Sequence, residues 1–454
     1  MSRSAGWTEV SVEEIKAEQP NALATGPFGS SISSKYFKGS GVPVIRGGNL
    51  SEDVGSRLDL KDLVFLSPEK ADEFRRSIVE KGDLIFTCWG TVGQVGLIDE
   101  KSPFSEYVIS NKQMKLTPDP RKADSLFLYY LFSGPEMSGR IKAEAIGSSV
   151  PGFNLAQLRS LRLCLPSLVE QQAIAEVLGA LDEKIYLNRH MNQTLEAVAR
   201  ATFKSWFVDF DPVREGHPEF PDSFVASSIG DIPEGWQVKV LQDLTDYTVG
   251  GDWGWGSLAD VDDQRVLCIR GADIPSLQSG GVGSMPTRYI KQSSLEKRSL
   301  CPRDLVVEVS GGSPTQSTGR SVLITRSLLG RFADPIVCSN FCRMVRLRTD
   351  QLQKFVHYWL LELYGRGEFL QFENGTTGIK NLAFTSFAGS YPVLVPDQGV
   401  LEKFEEAVNP LLDLQQRNGV ESGVLSQLRD TLLPKLLSGK IQVKQAEKIV
   451  GTAI

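Results

Sequence analysis

Two glycine-rich segments are the stretches whose residue types come nearest to binding a phosphate or a cofactor. Residues 311–321 (Gly-Gly-Ser-Pro-Thr-Gln-Ser-Thr-Gly-Arg-Ser) follow a strand-like run, but their glycine spacing is wrong for a phosphate loop and the required Lys is missing. Gly90, Gly93 and Gly96 also lack the dinucleotide-binding spacing. We therefore predict a flexible loop for the first segment and a turn between strands for the second.

Side chains that could carry out catalysis or bind a metal are scattered. Cys338 and Cys342 have no histidine at a ligand-like spacing and are interpreted as half-buried strand thiols. The three histidines lie on unrelated segments: His190, His217 and His357. Residues 409–412 (Asn-Pro-Leu-Leu) do not match the tetrapeptide of an amino-methyltransferase. The sequence therefore predicts a chain with no catalytic residues and no metal site.

The elements that position the polar side chains occur twice, about 230 residues apart. Residues 44–50 (Val-Ile-Arg-Gly-Gly-Asn-Leu) recur as residues 267–274 (Leu-Cys-Ile-Arg-Gly-Ala-Asp-Ile). Further matches follow in the same order: Gly6-Trp7 with Gly235-Trp236, Gly82-Asp83-Leu84-Ile85 with Arg303-Asp304-Leu305-Val306, Ser110-Asn111 with Ser339-Asn340, Gly147-Ser148-Ser149 and Asn154-Leu155 with Gly375-Thr376-Thr377 and Asn381-Leu382, and Leu165-Pro166 with Val395-Pro396. We predict two homologous halves, with turn or capping roles for Asp83 and Asp304.

Within each half, short β-branched runs predict strands and shorter apolar stretches predict helices, which gives a compact α+β domain. The predicted strands are residues 43–45, 84–87, 266–269 and 305–309, and the predicted helices are residues 125–132 and 352–364. The segments between the matched blocks differ completely, as residues 30–37 and 252–263 illustrate. A common scaffold with divergent loops is expected of two domains that recognise different targets.

Each half ends in a long helical segment. From Ile174, apolar residues recur with a period of 3.5, and the same seam begins 230 residues later at Phe404. At about 1.5 Å per residue, a helix over residues 170–207 is on the order of 57 Å long, more than one turn of duplex at roughly 3.4 Å per base pair. We expect the two helices to be antiparallel, with a pseudo-twofold axis between them.

Polar residues interrupt the seam at its middle, at Asn188 and Asn418. They indicate either a wet, loosely packed middle or a pair that fixes helix register, and we slightly favour the second. The aromatic residues Phe203, Trp206, Phe207 and Phe210 close the first helix. Packing within the chain is the default explanation of this cluster, and docking of another subunit has nearly equal weight.

These boundaries define six segments: a first domain at residues 1–165, a long helix at 166–210, a linker at 211–234, a second domain at 235–394, a second long helix at 395–443 and a C-terminal tail at 444–454. The chain has a net charge of −6, which argues against a general polyanion binder. The acidic excess lies in the helical segments, so each domain can carry a local basic face. No apolar run is long enough to cross a bilayer and the N-terminus does not look like a signal peptide, so we expect a cytoplasmic protein with reduced cysteines.

This organisation resembles the specificity subunits of type I restriction-modification enzymes over nearly the whole sequence. The resemblance includes the helix entry at residues 166–172 (Pro-Ser-Leu-Val-Glu-Gln-Gln), residues 174–185, Phe-Lys-Ser-Trp-Phe at 203–207 and residues 432–441 (Leu-Leu-Pro-Lys-Leu-Leu-Ser-Gly-Lys-Ile). The second helix entry, Pro-Asp-Gln-Gly-Val at 396–400, departs from the Glu-Gln-Gln form.

The resemblance implies two target-recognition domains, each of which reads one half of a bipartite site in double-stranded DNA, while the helices set the unspecified spacer. It implies that two methyltransferase subunits dock on the helices and bring S-adenosylmethionine for adenine N6 methylation. Motor-nuclease (restriction) subunits would bring ATP and Mg²⁺, so that this chain itself binds no cofactor and no metal. Phe203, Trp206 and Phe207 are the candidates for partner docking, and Asn188 and Asn418 for helix register.

The candidate DNA contacts fall into three groups. Arg46, Asn49 and Arg270 lie at matched positions, where pairing with guanine or adenine competes with a role in supporting the scaffold. Cations in divergent loops are better candidates for base contacts: Lys35, Lys38, Lys112, Arg288, Lys291 and Arg320. Small polar residues beside glycines could contact phosphate: Ser148, Ser149, Thr376 and Thr377.

Two other functions remain open at this point. The two domains could bind proteins, with the helices as a rigid strut, and salt-dependent, sequence-selective DNA binding would distinguish this scaffold from a DNA reader. The chain could also serve a modification-only methyltransferase that has no nuclease subunit.

Overall fold

The computed structural model describes residues 6–29, 31–147, 152–311, 316–376 and 378–452. The chain forms two compact units. Unit 1 comprises Met1–Ile185 and Val424–Ile454, and unit 2 comprises Tyr186–Gly423. Each unit therefore contains one copy of the repeat and a part of each long helix.

Unit 1 is built on two four-stranded sheets with strand orders β2-β9-β6-β7 and β4-β3-β8-β5, and on the pair β1-β10. Its strands are β1 (Thr8–Ser11), β2 (Leu23–Thr25), β3 (Val42–Ile45), β4 (Val64–Leu66), β5 (Ile78–Glu80), β6 (Leu84–Thr87), β7 (Val95–Leu97), β8 (Glu106–Ile109), β9 (Gln113–Leu116) and β10 (Arg162–Leu165).

Unit 2 contains the sheets β14-β21-β17-β19, β16-β15-β20 and β18-β23-β22, and the pairs β13-β24 and β11-β12. Its strands are β11 (Phe224–Ser227), β12 (Gly230–Pro233), β13 (Gln237–Val240), β14 (Thr245–Gly250), β15 (Asp263–Ile269), β16 (Thr287–Lys291), β17 (Asp304–Glu308), β18 (Ser310–Gly311), β19 (Ser321–Leu323), β20 (Ile336–Cys338), β21 (Cys342–Leu347), β22 (Glu373–Thr376), β23 (Ile379–Leu382) and β24 (Pro392–Val395).

Strand pairing confirms the internal repeat. The antiparallel pair β1-β10 corresponds to β13-β24, and the sheet β2-β9-β6-β7 corresponds to β14-β21-β17-β19. Each unit also has one parallel pair, in which Val44 lies opposite Val108 in unit 1 and Leu267 opposite Ile336 in unit 2. The predicted strands and the two shorter predicted helices all occur, within three residues at each end.

The helices of unit 1 outside the long pair are α1 (Val12–Ile15), α2 (Pro68–Asp72), α3 (Ser125–Ser133), α4 (Pro135–Glu144), α5 (Leu155–Ser160) and α15 (Val443–Gly451). Those of unit 2 are α7 (Asp211–Arg214), α8 (Leu241–Leu244), α9 (Ile274–Gln278), α10 (Gln292–Arg298), α11 (Arg326–Leu329), α12 (Gln351–Gly365) and α13 (Phe384–Ser390). Short 3₁₀ turns occupy Ser34–Tyr36, Gly47–Asn49, Arg75–Ser77, Gly271–Asp273 and Glu368–Phe372.

The long helices are α6 (Leu168–Lys204), which ends in a π-helical turn at Ser205–Asp209, and α14 (Gln398–Leu437). In unit 1, Leu178 and Leu181 of α6 share a core with Leu425 and Leu432 of α14. In unit 2, Phe203 of α6 shares a core with Phe404 and other residues of α14. Within unit 2, Asn188 of α6 contacts Glu421 of α14 and the later residue Phe203 contacts the earlier residue Phe404, so the two helices are antiparallel there.

Three segments differ in detail from their predicted description. The predicted linker at residues 211–234 contains the helix α7 and the hairpin β11-β12, and the predicted tail at 444–454 contains most of α15. Val443, Ala446 and Val450 of α15 pack on the core of unit 1, because an amphipathic nine-residue helix can bury one apolar face. Helix α14 ends at Leu437, six residues before the predicted end of the second helical segment.

Candidate nucleic-acid interface

Both units build the same corner where one sheet meets the other. The backbone N–H of Ser110 donates to the carbonyl oxygen of Ile45 (3.0 Å), and that of Ser339 donates to Ile269 (2.9 Å). A strand of the neighbouring sheet ends against this turn at Gly26 in unit 1 and at Gly251 just after β14 in unit 2. A Cβ at either glycine would overlap the serine carbonyl oxygen. The divergent loops of the two halves therefore begin at equivalent positions in the two units.

Comparison of the two halves in sequence did not identify the match between Gly26 and Gly251, because the residues that follow these glycines differ. Another match needs correction. The N–H of Phe153 donates to Cys88 (2.9 Å), and in unit 2 the N–H of Leu382 donates to Val309 (2.8 Å). Hydrogen bonding therefore aligns Phe153 with Leu382, two positions from the alignment that pairs Asn154 with Asn381.

The matched Arg and Asn/Asp residues brace a 3₁₀ turn after the parallel strand. Asn49 is only 2% exposed; its Oδ1 accepts from the backbone of Arg46 (2.9 Å), and its Nδ2 donates to the carbonyl oxygens of Asp59 (2.9 Å) and Lys61 (3.1 Å). This burial gives Asn49 a supporting role in place of the suggested base contact. Arg46 is partly buried and donates to the carbonyl oxygen of Asp62 (2.7 Å).

The equivalent turn in unit 2 is held by an ion pair. Arg270 Nε donates to Asp273 Oδ2 (2.9 Å), and the Asp273 carboxylate also accepts from the backbone of Arg270 (2.9 Å) and of Ser284 (2.8 Å). Burial alone would raise the pKa of Asp273, but these hydrogen bonds bring it below its ordinary value. Asp273 therefore stays ionised and holds Arg270 against the scaffold, with part of the guanidinium still exposed.

Two further arginines in unit 2 are engaged in intramolecular contacts. Arg320 makes a two-pronged ion pair with the buried Glu308 (2.8 and 2.6 Å). Arg288 donates to the carbonyl oxygens of Trp253 (2.8 Å) and Gly254 (3.1 Å), and its guanidinium lies 4.2 Å from the centre of the Trp253 ring. Both arginines order divergent loops, and their partial burial limits the surface that they can present to DNA.

The four candidate lysines are exposed and extend from divergent segments. Lys35 and Lys38 lie between β2 and β3, and the Lys35 ammonium is 4.7 Å from the centre of the Tyr36 ring. Lys112 lies in the corner turn before β9, and Lys291 ends β16. Exposed ammonium groups of this kind are suited to phosphate contacts as well as to the base contacts predicted from the sequence, and either role stays a prediction.

The four small polar candidates lie in or beside segments outside the described residues. Ser148, Ser149 and Thr377 lie outside the described residues, and Thr376 is described only as the last residue of β22. Their assignment to phosphate contacts stays a prediction.

The Asn residues of the helical seam form a hydrogen-bonded network in unit 2. Asn188 Nδ2 donates to the carbonyl oxygen of Asn418 (3.4 Å) and to the Glu421 carboxylate (2.7 Å). Asn418 Nδ2 donates to Asn192 Oδ1 (2.9 Å), and Asn192 Nδ2 donates to the carbonyl oxygen of Gln415 (3.0 Å). The middle of the seam is thus buried and hydrogen-bonded, an arrangement that favours one helix register.

The aromatic cluster at the end of α6 is largely internal. Phe203 and Phe207 are buried and lie 5.8 and 5.0 Å from Phe404, centre to centre, and Phe207 lies 5.1 Å from Phe355. Trp206 is partly buried and packs at the margin of the same core. Packing within the chain accounts for the two phenylalanines, so the docking prediction now rests on Trp206.

Unit 1 has a buried ionic cluster that sequence reasoning did not identify. Arg429 of α14 donates to Asp182 of α6 (2.8 Å) and lies 3.6 Å from Asp53. Tyr130 donates to the other oxygen of Asp182 (2.6 Å). The side chains of Arg429 and Asp182 are 6% and 5% exposed. With Asp53, this cluster joins α6, α14 and the loop that follows the 3₁₀ turn Gly47–Asn49. Its members are far apart in sequence, so no local sequence pattern predicts the cluster.

Asp83 and Asp304 have the predicted turn roles. Asp83 Oδ2 accepts from the backbone of Glu80 (3.0 Å), and Asp304 Oδ2 accepts from that of Cys301 (2.7 Å). Burial raises the pKa of Asp83 above its ordinary value, although hydrogen bonding to Thr117 and the charge of Lys115 oppose that effect.

The thiols of Cys338 and Cys342 are fully buried and not half-buried as predicted, because the strands β20 and β21 lie inside the core of unit 2. Burial raises the pKa of Cys342 to about 12. Across the described ranges, no three His, Cys, Asp or Glu side chains form a group that could hold a metal ion. Within the same ranges, no helix combines the length and the apolar character that a membrane span requires.

Comparisons with known proteins agree with one another. Residues 28–197 match the family model of the type I restriction modification DNA specificity domain. The chain is 27% identical over 370 residues to the type I restriction enzyme MjaIX specificity subunit of Methanocaldococcus jannaschii, covering 81% of this chain and 79% of that protein. It is 23% identical over 420 residues to the HindI specificity subunit of Haemophilus influenzae, covering 81% and 88%.

A solved structure shares the fold. The crystal structure of the type I restriction-modification S subunit from M. genitalium superimposes with a TM-score of 0.55 at 16% identity and covers 95% of this chain and 96% of that one.

Proposed function

We propose that this chain, a specificity subunit of the type I restriction-modification family, determines which DNA sequence its complex acts on. Unit 1 reads one half of a bipartite duplex site and unit 2 reads the other. Subunits of this kind are non-catalytic, and the chemistry belongs to the complex that they join.

The observation that carries the proposal is the duplicated corner with different loops. The two units share strand pairing and the glycine-dependent corner, yet the segments that leave the corner have unrelated sequences. Loops on a common scaffold are where recognition is expected to vary. Exposed Lys35, Lys38 and Lys112 in unit 1 and Lys291 in unit 2 would neutralise phosphates, while the loops contact base edges.

The helix pair supplies the second part of the proposal. Helices of 37 and 40 residues are each on the order of 55 to 60 Å long. We propose that they set the number of unspecified base pairs between the half-sites and that two methyltransferase subunits dock on them, with Trp206 at one docking position. S-adenosylmethionine, ATP and Mg²⁺ would be bound by the methyltransferase and motor-nuclease subunits.

Mapping of adenine methylation tests the proposal. DNA from cells that express the chain with its neighbouring methyltransferase is sequenced by a single-molecule method, beside DNA from cells that lack the chain. A split motif that appears only with the chain is the expected result. A complex that forms and methylates but has no motif would favour the protein-binding scaffold.

Shortening α6 and α14 together by one heptad tests the spacer. The preferred spacer should change while both half-sites stay the same; an unchanged spacer would contradict this role of the helices.

A further inference from the structure

A small patch beside each corner, where three segments pair in an equivalent way, has opposite chemistry in the two units. In unit 1, Gly152 lies opposite Trp89 on one side and opposite Ile146 on the other, both in antiparallel bridges. In unit 2, Asn381 of β23 lies opposite Ser310 of β18 and opposite Asn374 of β22. The two triplets occupy equivalent places, because Cys88, just before Trp89, corresponds to Val309, just before Ser310.

Residues that lie directly opposite each other in a sheet point to the same face. In unit 1 that face is apolar and uncovered: Trp89 is 50% exposed and Ile146 is 69% exposed. The Trp89 ring lies across Gly152, where a Cβ would overlap it. Gly152 therefore lets the ring lie flat on the strand, with its opposite face toward solvent.

The equivalent face in unit 2 is made of amides. Asn374 and Asn381 are exposed, and Ser310 is partly exposed. The Ser310 hydroxyl donates to Asn381 Oδ1, which fixes the orientation of that amide. Unit 1 therefore exposes Trp89 and Ile146 at this face, and unit 2 exposes Asn374 and Asn381 at the equivalent face.

The neighbouring corner residue also differs between the units, but in the opposite sense. The N–H of Cys88 donates to the carbonyl oxygen of Lys112 (2.7 Å), and that of Val309 donates to Phe341 (2.9 Å). Unit 1 places a cation beside its apolar face, and unit 2 places an exposed aromatic ring beside its amide face.

We infer that these two faces are specificity-determining elements, with Trp89 and Ile146 recognising thymine and Asn374 and Asn381 recognising adenine. An apolar surface can contact the C5-methyl group of thymine in the major groove, and an Asn amide can pair with N6 and N7 of adenine. This inference rests on the proposed function and adds named residues to it. A solvent-exposed Trp held flat by a glycine is costly to leave uncovered, and base edges are the apolar and polar surfaces that would cover the two faces.

The test uses the full chain in complex with its methyltransferase subunits and duplexes that carry the mapped site. Thymines are replaced by deoxyuridine, which removes the methyl group, or adenines by 7-deazaadenine, which removes N7, in one half-site at a time. The wild-type complex should bind one half-site about tenfold more weakly with deoxyuridine and the other about tenfold more weakly with 7-deazaadenine.

Substitutions then assign the two effects. Trp89→Ala and Ile146→Ala should abolish the deoxyuridine effect in one half-site, and Asn374→Ala and Asn381→Ala the 7-deazaadenine effect in the other. Trp89→Phe should keep most of the methyl discrimination. The unaltered half-site of each variant is the control for folding.

The possible failures can be told apart. Sequence-selective binding by the wild type, with variants that keep both analogue effects or weaken both half-sites equally, would overturn the inference and leave the proposed function standing. Absence of selective binding by the wild-type complex would overturn the proposed function itself.

Discussion

The two halves of the helix pair are held by different chemistry. In unit 1, α6 and α14 are joined by the buried ion pair of Asp182 and Arg429, whereas in unit 2 they are joined by the amides of Asn188, Asn192 and Asn418. At an offset of 230, Asp182 and Arg429 match Leu412 and Ala199, so the ion pair has no counterpart in unit 2, whereas Asn188 and its partner Asn418 match each other. A duplicated helix can thus keep its length and apolar seam while its polar contacts diverge, because length and seam follow from local sequence and buried polar pairs depend on both helices.

Of the changes that separate the two units, breaking the ion pair of unit 1 is expected to lower the free energy of unfolding most. Asp182→Ala leaves the Arg429 guanidinium buried without its main partner, and the free energy of unfolding of unit 1 should fall by about 3 kcal/mol. The double variant Asp182→Leu with Arg429→Met should recover much of that loss. Hydrogen-deuterium exchange can measure each unit separately, and faster exchange in unit 2 than in unit 1 would contradict the assignment.

Acid should distinguish the units as well, because all three histidines lie in unit 2. His357 is 4% exposed, its Nδ1 has no hydrogen-bond partner among the described residues, and burial lowers its pKa to about 3. Below about pH 6.5 the unfolded chain gains a proton that folded His357 does not accept, so stability is lost as pH falls toward 3, by about 1.4 kcal/mol per pH unit.

At pH 5 this loss amounts to about 2 kcal/mol relative to pH 7. His357→Gln should remove it, as seen in urea unfolding of unit 2 at both pH values. His190→Gln and His217→Gln are matched controls, because both side chains are exposed. An unchanged pH dependence in His357→Gln would show that other groups cause the acid loss.

The amide network should give the smallest effect. Asn418→Leu leaves Asn192 Oδ1 without its buried donor and should cost about 1 to 2 kcal/mol in unit 2. Asn192→Leu with Asn418→Leu removes both partners and should cost less than the two single changes summed. If the network fixes register, disulfide trapping with cysteine pairs along α6 and α14 should detect additional registers in the double variant.

Sequence patterns predicted the α+β class, the internal repeat and the long helices, and the structure confirms them. The reason is that period-2 and period-3.5 patterns and the matched Arg-Gly turns are local in sequence. The individual DNA contacts are less predictable. Asn49 matches a residue in the other half and is a good base reader in type, yet it is buried by a turn that depends on residues 59 and 61.

Where an exposed side chain lies relative to its neighbours was decided only by tertiary structure. Trp89 lies beside Ile146 and Gly152 through a bridge to a segment that is distant from it in sequence, and no periodicity relates these residues. Length, seam and repeat follow from the sequence because each residue contributes to them through its near neighbours. The exposed face of Trp89 and Ile146, the ionic cluster and the burial of His357 depend on which strands and helices pair, and those pairings arise only when the whole unit folds.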